Sequence, residues 1–328
     1  MPLVSFCIPT HNMARYLGDA IESALAQEGT DVELVVCDDA STDDTAAIVA
    51  EFSDPRLRYC LFPDRAGQAG NFNRCLRAAR GDYLTILHSD DLLLPGFLRD
   101  RTARLDADPR LAFTFGAVRV IDADGLFVRV SAPWPADRRL PSREMLEELL
   151  KGSIVSPPSL MVRRSHAEAA GAFREDLTWG HDWEWTMRLA AIGDAQYAAA
   201  PSAAYRVHDG SGTAEMLRAA RNGAQERHIL TETLTRLATL DPSFQGSRRR
   251  AFASLGRRHL YYAHLALERR QANVARNNLG WAAAADPLLA GRPTFWMLLL
   301  ASLGARSLYS RWARLRGMAF LGGSAGWS

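Results

Sequence analysis

The 328-residue sequence has no long apolar run and no recognisable export signal. A membrane-spanning helix needs about 18 or more consecutive apolar residues, and the nearest approach, residues 294–303 (TFWMLLLASL), is much shorter. The N-terminal residues lack the basic region and the extended apolar segment of a signal peptide. The sequence therefore predicts a cytoplasmic protein that does not cross a membrane.

Cysteine is scarce. The four cysteines form no Cys-X-X-Cys pair, and no group of histidines and cysteines has the spacing of a zinc site. They are Cys7, Cys37, Cys60 and Cys75. Three of the four lie in apolar runs that are typical of strands. This pattern predicts buried thiols in a reducing compartment.

A strong excess of charge and the common glycine-rich nucleotide loops are also missing. The formal net charge is only +2, which predicts no nucleic-acid partner. No G-X-G-X-X-G segment follows the first predicted strand, and no G-X-X-X-X-G-K-[S/T] loop occurs. These absences argue against a dinucleotide-dependent dehydrogenase and a P-loop enzyme.

The first hundred residues contain a regular alternation of strand and helix patterns. Apolar runs predict strands at residues 4–8, 33–37, 57–62 and 83–87, and segments with helical periodicity lie between them. Short links between such elements imply right-handed crossovers and a mostly parallel sheet. Ligands bind beyond the C-terminal ends of the strands in sheets of this kind.

The pattern changes twice along the rest of the chain. Longer strands and a hairpin turn at residues 122–125 follow residue 111, and a helix is predicted to begin near Asp182. From residue 213 onward the sequence has helical periodicity only. We therefore expect a first domain over residues 1–212, with halves at 1–110 and 111–212, and a helical region over 213–328.

Two pairs of aspartates follow predicted strands. Asp90 and Asp91 follow the fourth strand, where adjacent carboxylates repel each other unless a cation lies between them. Oxygen ligands of this kind suit Mg²⁺ or Mn²⁺ bound to a diphosphate, but the pair by itself favours a solvated turn and helix cap. Asp38 and Asp39 follow the second strand. A carboxylate at this place either accepts a hydrogen bond from a nucleotide base or a ribose hydroxyl, or caps the helix that follows.

Two further residues have both a structural and a functional interpretation. Asp182 stands at the start of a predicted helix beside aromatic residues, as an N-cap or as a general base. His208 lies at the end of a predicted strand. It is interpreted either as an ordinary polar residue or as a ligand of metal or phosphate. The sequence alone does not decide between these interpretations.

The order and spacing of these segments closely resemble those of family 2 glycosyltransferases, over roughly residues 3–212. The matching segments are residues 5–12 (SFCIPTHN), 24–27 (ALAQ), 33–43 (ELVVCDDASTD), 79–83 (ARGDY), 87–91 (LHSDD), 157–159 (PPS), 171–173 (GAF), 181–190 (HDWEWTMRLA) and 205–208 (YRVH), with Asn73 and Pro95. The resemblance implies a GT-A fold, in which a mixed, mostly parallel sheet is flanked by helices. Here that fold precedes the all-helical C-terminal extension.

The resemblance also implies an inverting transfer of sugar from a nucleotide-diphosphate donor, with Mg²⁺ or Mn²⁺ as cofactor. The nucleotide-binding residues expected on this basis are Pro9, Thr10, Asn12, Asp38, Asp39, Gly70, Asn73 and Asp90. Asp91, Asp90 and His208 are the expected metal ligands, and Asp182 is the expected catalytic base. One position departs from the family, whose metal segment is often Asp-Ser-Asp-Asp, because His88 stands first here.

The expected acceptor is a glycan or a lipid-linked glycan of the cell surface. The stretch after Asp286 has no acidic residue, and its arginines flank apolar and tryptophan-containing segments. It therefore predicts either peripheral contact with the inner face of a membrane or packing on the catalytic domain or in an oligomer. A nucleotidyltransferase is a second candidate function, disfavoured because the first fifty residues contain Arg15 but no other arginine and no lysine. A non-catalytic sugar-nucleotide-binding protein is a third, disfavoured because Asp182 and His208 accompany Asp90 and Asp91.

Overall fold

The computed structural model describes residues 3–28, 31–211 and 222–305. The chain divides into two compact units. The sheet unit lies within Met1–Leu146 and Ser153–Val207, and the helical unit within Glu147–Gly152 and His208–Ala325. The domain boundary predicted near residue 212 lies outside the described residues.

Ten strands form one sheet. They are β1 (Val4–Thr10), β2 (Val32–Asp39), β3 (Leu57–Phe62), β4 (Tyr83–Ile86), β5 (Leu92–Leu93), β6 (Leu111–Ile121), β7 (Phe127–Ser131), β8 (Arg138–Leu140), β9 (Met161–Arg163) and β10 (Asp194–Arg206). The order is β3-β2-β1-β4-β9-β6-β10-β5, with β7 paired to β6 and β8 paired to β10. The first four strands are parallel, β9 is antiparallel to both of its neighbours, and β6 is parallel to β10. The prediction of a mixed, mostly parallel sheet is thus confirmed.

Eleven α-helices occur in the described part of the chain. They are α1 (Ala14–Leu25), α2 (Thr45–Ala50), α3 (Gly67–Ala78), α4 (Phe97–Ala107), α5 (Ser142–Leu149), α6 (Arg164–Ala170), α7 (His181–Ala190), α8 (Asn222–Leu240), α9 (Ser247–Glu268), α10 (Ala272–Ala285) and α11 (Pro293–Ser302). Among these helices none combines the length and the apolar character that crossing a bilayer requires.

The core of the sheet unit forms where buried strands meet the apolar stripe of α1. Every residue of β1 is buried, because helices and loops cover both faces of a central parallel strand. Leu17 and Ile21, four residues apart on α1, pack in one cluster with Phe6 and Leu34 of the sheet. The register pairs Thr10 of β1 with a residue near the end of β2, so the polar residues that follow these strands meet at one edge.

Two local details differ from the sequence-based expectations. An asparagine just before a helical pattern predicts an N-cap, but Asn12 does not cap α1. It has a left-handed φ of +54°, and its side-chain oxygen accepts a hydrogen bond from the backbone N–H of Thr42. The first N–H of α1, at Ala14, donates instead to Asp43, because the loop after β2 lies against the start of this helix. Asp90 and Asp91 do not cap a helix either, since β5 intervenes and α4 begins only after Gly96, at a φ of +86°.

The helical unit contains a buried ion-pair network. Glu226 on α8 accepts from the Arg258 guanidinium of α9 at 3.0 Å and lies 3.5 Å from the ring of His259. Burial acts to raise the pKa of Glu226, but Arg258 and His259 outweigh it, so this pKa lies below its usual value. The carboxylate therefore stays charged at neutral pH and stabilises the packing of α8 against α9.

We predict that Glu226→Gln lowers the free energy of unfolding by about 3 kcal/mol, because it leaves a buried guanidinium without its counter-charge. Urea unfolding followed by circular dichroism measures the change. The matched control is Glu147→Gln, which removes an exposed pair with Arg250 and should cost less than about 1 kcal/mol. Because the pKa of Glu226 is lower in the folded state, its contribution is present above about pH 4.3 and is lost as the pH falls below it. Equal effects of the two substitutions would contradict the prediction.

Candidate active site

The loop after β4 gathers three side chains that can bind a metal ion. Ligand atoms of His88, Asp90 and Asp91 all lie within 4.8 Å of one another. Asp91 is fully buried; its Oδ1 accepts from the backbone N–H of Arg206 at 2.8 Å, whereas its Oδ2 accepts no hydrogen bond. Burial and the charge of Asp90 raise the pKa of Asp91 well above its usual value. A divalent cation would satisfy the orphaned oxygen, so the donor set fits such an ion.

Arg206, at the end of β10, fixes this loop. Its Nε donates to the carbonyl of Asp90 at 2.8 Å, and its Nη2 contacts Asp19 of α1 at 3.2 Å. The guanidinium also lies over the ring of Tyr16, 4.7 Å from the centroid. Arg206 therefore joins β10, α1 and the loop after β4, and it aims Asp91 without being a ligand itself.

Asp38 and Asp39 organise the loops at the ends of β1, β2 and β3. Asp38 accepts from the backbone of Ser41 at 2.8 Å and from the hydroxyl of Tyr59 at 2.6 Å. Burial and the Asp38 carboxylate together raise the pKa of Tyr59. Asp39 accepts from the first N–H groups of α3, at residues 66 and 67, and from Arg74. The predicted contacts of these carboxylates with base and ribose remain predictions.

Two buried polar atoms nearby have no partner. The hydroxyl of Thr10 and the side-chain oxygen of Asn71 form no hydrogen bond, although Asn71 donates to the carbonyls of Cys37 and Thr10. A buried polar group is normally hydrogen-bonded, so these two atoms mark a place where a ligand would bind. Asn71 was missed in the sequence because an asparagine inside a helix pattern gives no signal of its own.

The other predicted nucleotide-binding residues differ in their burial and in the contacts that they already make. Pro9 is buried in β1 and Asn12 is exposed. Gly70 lies inside α3, where an added Cβ would come within 2.7 Å of the Cβ of Ala66. Asn73 exchanges two hydrogen bonds with the backbone of Phe173 and so fastens the loop before α7 to α3. These contacts give Asn73 a structural task, and its binding role remains a prediction.

Asp182 lies in the first turn of α7 and lines a small, mostly apolar pocket. The pocket is lined by Phe72, Ile86, Val155, Pro157, Leu160, Phe173, Asp182, Trp185 and Thr186. Glu184, the other acidic residue in this turn, is buried and paired with Arg188 at 2.9 Å. Asp182 is therefore the carboxylate that faces the pocket.

His181 is a site residue that the sequence did not single out. It is 4% exposed, and neither ring nitrogen has a hydrogen-bond partner. Burial lowers the pKa of His181, partly opposed by the charge of Asp182. The ring centroid lies 5.1 Å from that of Phe72, which is itself 5.4 Å from the ring of His88. Phe72 thus contacts both the loop after β4 and the start of α7.

His208 follows β10 by two residues and belongs to the helical unit. It is half-buried. Its role as a metal ligand remains a prediction.

Comparisons with known proteins show which sequences this chain is similar to. The sequence profile described as glycosyl transferase family 2 matches residues 5–171. An uncharacterised protein of Mycobacterium tuberculosis is 32% identical over 241 residues, which cover 70% of this chain and 75% of that protein. Chondroitin synthase of Escherichia coli is 31% identical over 195 residues, covering 59% of this chain but only 27% of the synthase.

Among solved structures, a mannosyltransferase of Pyrobaculum calidifontis in complex with GDP-Man and Mn²⁺ superposes with a TM-score of 0.55. The two chains are 20% identical, and the alignment covers 96% of this chain and 87% of the other. At this identity the likeness establishes the shared fold. It agrees with the GT-A architecture that the sequence predicted.

We predict that His181→Phe leaves the stability unchanged or raises it. The substitution keeps an aromatic ring against Phe72 and removes two buried nitrogens without partners, each of which costs about 1–3 kcal/mol when unpaired. Urea unfolding measures this effect, and the half-exposed His228 replaced by Phe is the control in which no gain is expected. A clear loss of stability would show instead that the ring nitrogens have partners in the folded protein.

Proposed function

The chain belongs to glycosyl transferase family 2, and we propose that it is an inverting, metal-dependent enzyme that moves a sugar from a nucleotide-diphosphate donor to an acceptor hydroxyl. One observation carries the proposal. Phe72 packs against His88 in the loop that carries Asp90 and Asp91 and against His181 at the start of α7, and it lines the pocket together with Asp182. The chemistry needs both the aspartates of that loop and Asp182, and each has a separate task.

The first task is to hold the donor's diphosphate through a cation. Asp91 offers an unpartnered, buried oxygen and Asp90 a second carboxylate, so these two residues would hold Mg²⁺ or Mn²⁺, with His208 as a further proposed ligand. When bound, the ion stabilises the negative charge that develops on the departing nucleoside diphosphate. Arg206 keeps the carboxylates aimed by donating to Asp91 from its backbone and to the Asp90 carbonyl from its side chain.

The second task is to remove the proton of the acceptor hydroxyl on the opposite face of the sugar. Asp182 is the one carboxylate among the residues that line the pocket, and the apolar neighbours partly exclude water from it. Glu184 is tied to Arg188 and is therefore poorly suited to the same work. A single base with no second carboxylate in that pocket favours one in-line displacement, and hence inversion, over a double displacement.

The nucleoside would lie at the ends of β1 and β2. Thr10 and Asn71 offer polar atoms that have no partner, and Asp38 and Asp39 keep the surrounding loops in one conformation. Gly70, Asn73, Pro9 and Asn12 lie on the same elements and would shape the cavity. The related mannosyltransferase structure contains a nucleotide sugar and Mn²⁺, which supports this class of donor and cofactor.

The acceptor we propose is a glycan or a lipid-linked glycan, in the synthesis of a cell-surface polysaccharide or glycolipid. The support is the similarity to chondroitin synthase, of which this chain spans about a quarter. In this proposal residues 1–212 carry out the transfer, with the nucleotide in the half 1–110 and the acceptor in the half 111–212. The helical region 213–328 has another task.

For that region we propose peripheral contact with an anionic membrane. Trp296, Leu300 and Leu303 are 53%, 45% and 66% exposed and follow one another at helical spacing on and just after α11. Phe295 and Leu298, on the opposite side of the helix, are buried. The chain has no acidic residue after Asp286, so an anionic surface would not be repelled. The remaining arginines of this stretch, from residue 306 onward, lie outside the described residues.

We predict that replacing Trp296, Leu300 and Leu303 together by serine weakens binding to anionic vesicles by at least about tenfold, since burying one large apolar side chain contributes about 1.5–3 kcal/mol. Co-sedimentation with phosphatidylglycerol vesicles measures the binding. The control variant carries three serines at Leu126, Phe127 and Val128, which are equally exposed but lie at β7 of the sheet unit. Equal binding by both variants and the wild type would leave packing or oligomer contact as the role of α11.

We predict that Asp182→Asn binds the donor with near wild-type affinity but transfers sugar about 10²–10⁴-fold more slowly, because only the base is lost. The donor is first identified by a thermal-shift screen of nucleotide sugars with and without Mn²⁺, in which a ligand of the folded state raises the melting temperature. Asparagine keeps the size of the side chain, and the N-cap of α7 is Gly180 rather than Asp182, contrary to the N-cap interpretation of the sequence, so the fold should survive. Glu184→Gln is the comparison at the neighbouring carboxylate. A normal transfer rate in Asp182→Asn would remove it as the base.

A further inference from the structure

His88 and Asp91 face each other across a gap that neither residue closes. His88 Nδ1 lies 3.8 Å from Asp91 Oδ2, which is too far for a hydrogen bond. Asp91 Oδ2 is buried without a partner, and so is the other ring nitrogen of His88, Nε2. The imidazole and the carboxylate therefore lie close together in the folded protein without forming a hydrogen bond to each other.

A metal ion would fill such a gap. Metal–ligand bonds of about 2 Å place two ligands of one ion roughly 3–4 Å apart, and the Nδ1–Oδ2 separation of 3.8 Å lies in that range. The ring of His88 is held in place, since its side chain is only 20% exposed and packs against Phe72 with 5.4 Å between the ring centroids. A ligand that is ordered before the ion arrives loses little conformational freedom on binding.

The chemical type of the ligand then affects which ion is bound. Mg²⁺ prefers an all-oxygen environment. The first-row divalent ions bind imidazole nitrogen more readily than Mg²⁺ does, and within that series the affinity is lowest for Mn²⁺. The imidazole of His88 offers the ion a nitrogen ligand, next to the carboxylate oxygens of Asp90 and Asp91.

We propose that His88 is a direct ligand of the divalent ion and makes the site prefer Mn²⁺ over Mg²⁺. This inference rests on the metal dependence proposed above. The inference adds to that proposal a further ligand residue, a nitrogen donor atom and a preference between two ions. The role of His88 is separate from that proposed for His208, which follows β10 in sequence.

Pulsed electron paramagnetic resonance tests the nitrogen ligand directly. The sample is the full chain with Mn²⁺ and inorganic pyrophosphate, which supplies diphosphate oxygens and no nitrogen. We expect ¹⁴N modulation from bound imidazole in the wild type and in His208→Gln. Because His208 is itself a proposed ligand, each His88 substitution is combined with His208→Gln, and we expect the modulation to be lost in both double variants. Because glutamine is uncharged, His88→Gln removes the imidazole without adding a third acidic residue to the loop. Circular dichroism melting shows that each variant is folded.

Competition between ions gives a second readout that is independent of sugar transfer. Mg²⁺ is titrated against bound Mn²⁺, and the ratio of the two dissociation constants is compared between variants. We expect His88→Asp to reduce the preference for Mn²⁺ by about tenfold or more, in line with the effect of removing a group that supports a metal site. His228→Gln, at a half-exposed histidine of α8, should leave the ratio unchanged.

The outcomes separate the two proposals. Binding of Mn²⁺ without nitrogen modulation, modulation that is already lost in His208→Gln, or an unchanged ion preference in His88→Asp would overturn the role of His88 alone. No binding of Mn²⁺ by the wild type in the presence of pyrophosphate would overturn the proposed metal dependence, and the role of His88 with it. Modulation that persists in His208→Gln but is lost when either His88 substitution is added, together with a lowered preference for Mn²⁺ in His88→Asp, would establish it.

Discussion

The arginine at the end of β10 is the contact on which the geometry of the site depends. Through one backbone N–H and one guanidinium, Arg206 contacts both aspartates of the loop after β4, the turn between β6 and β7, and Asp19 and Tyr16 of α1. These elements are separated by up to 187 positions in the chain. Because the guanidinium is buried and holds the Asp90 carbonyl while the backbone N–H of Arg206 binds Asp91 Oδ1, the Asp91 carboxylate is oriented before a cation arrives.

The sheet unit keeps several polar atoms buried without partners at the positions where donor and metal are proposed to bind. They belong to Thr10, Asn71, His88, Asp91 and His181. Each such atom opposes folding by about 1–3 kcal/mol, so the surrounding apolar core has to offset them. A ligand that pairs with these atoms recovers that free energy on binding. The arrangement is typical of sites that are organised for a ligand before it arrives.

Local sequence located residues of the candidate site but not the contacts that they make, for an identifiable reason. Asp91 and Asp182 were found because each follows a recognisable strand or begins a recognisable helix, so short-range pattern locates them. Asn73 was expected to bind nucleotide, yet both ends of its amide are engaged with the loop before α7, 100 residues away. No short-range pattern contains that contact.

The sequence by itself determined the alternation of strands and helices, the parallel half of the sheet and the edge at which the acidic pairs lie. Those features follow from hydrophobic periodicity and from the rule that parallel strands end together. Only the tertiary structure decided that Asp43 rather than Asn12 supports the start of α1, that Glu184 is tied to Arg188, and that His88 faces Asp91. Side-chain pairing is decided by which surfaces meet after folding, and a local pattern holds no information about surfaces that lie far apart in the chain.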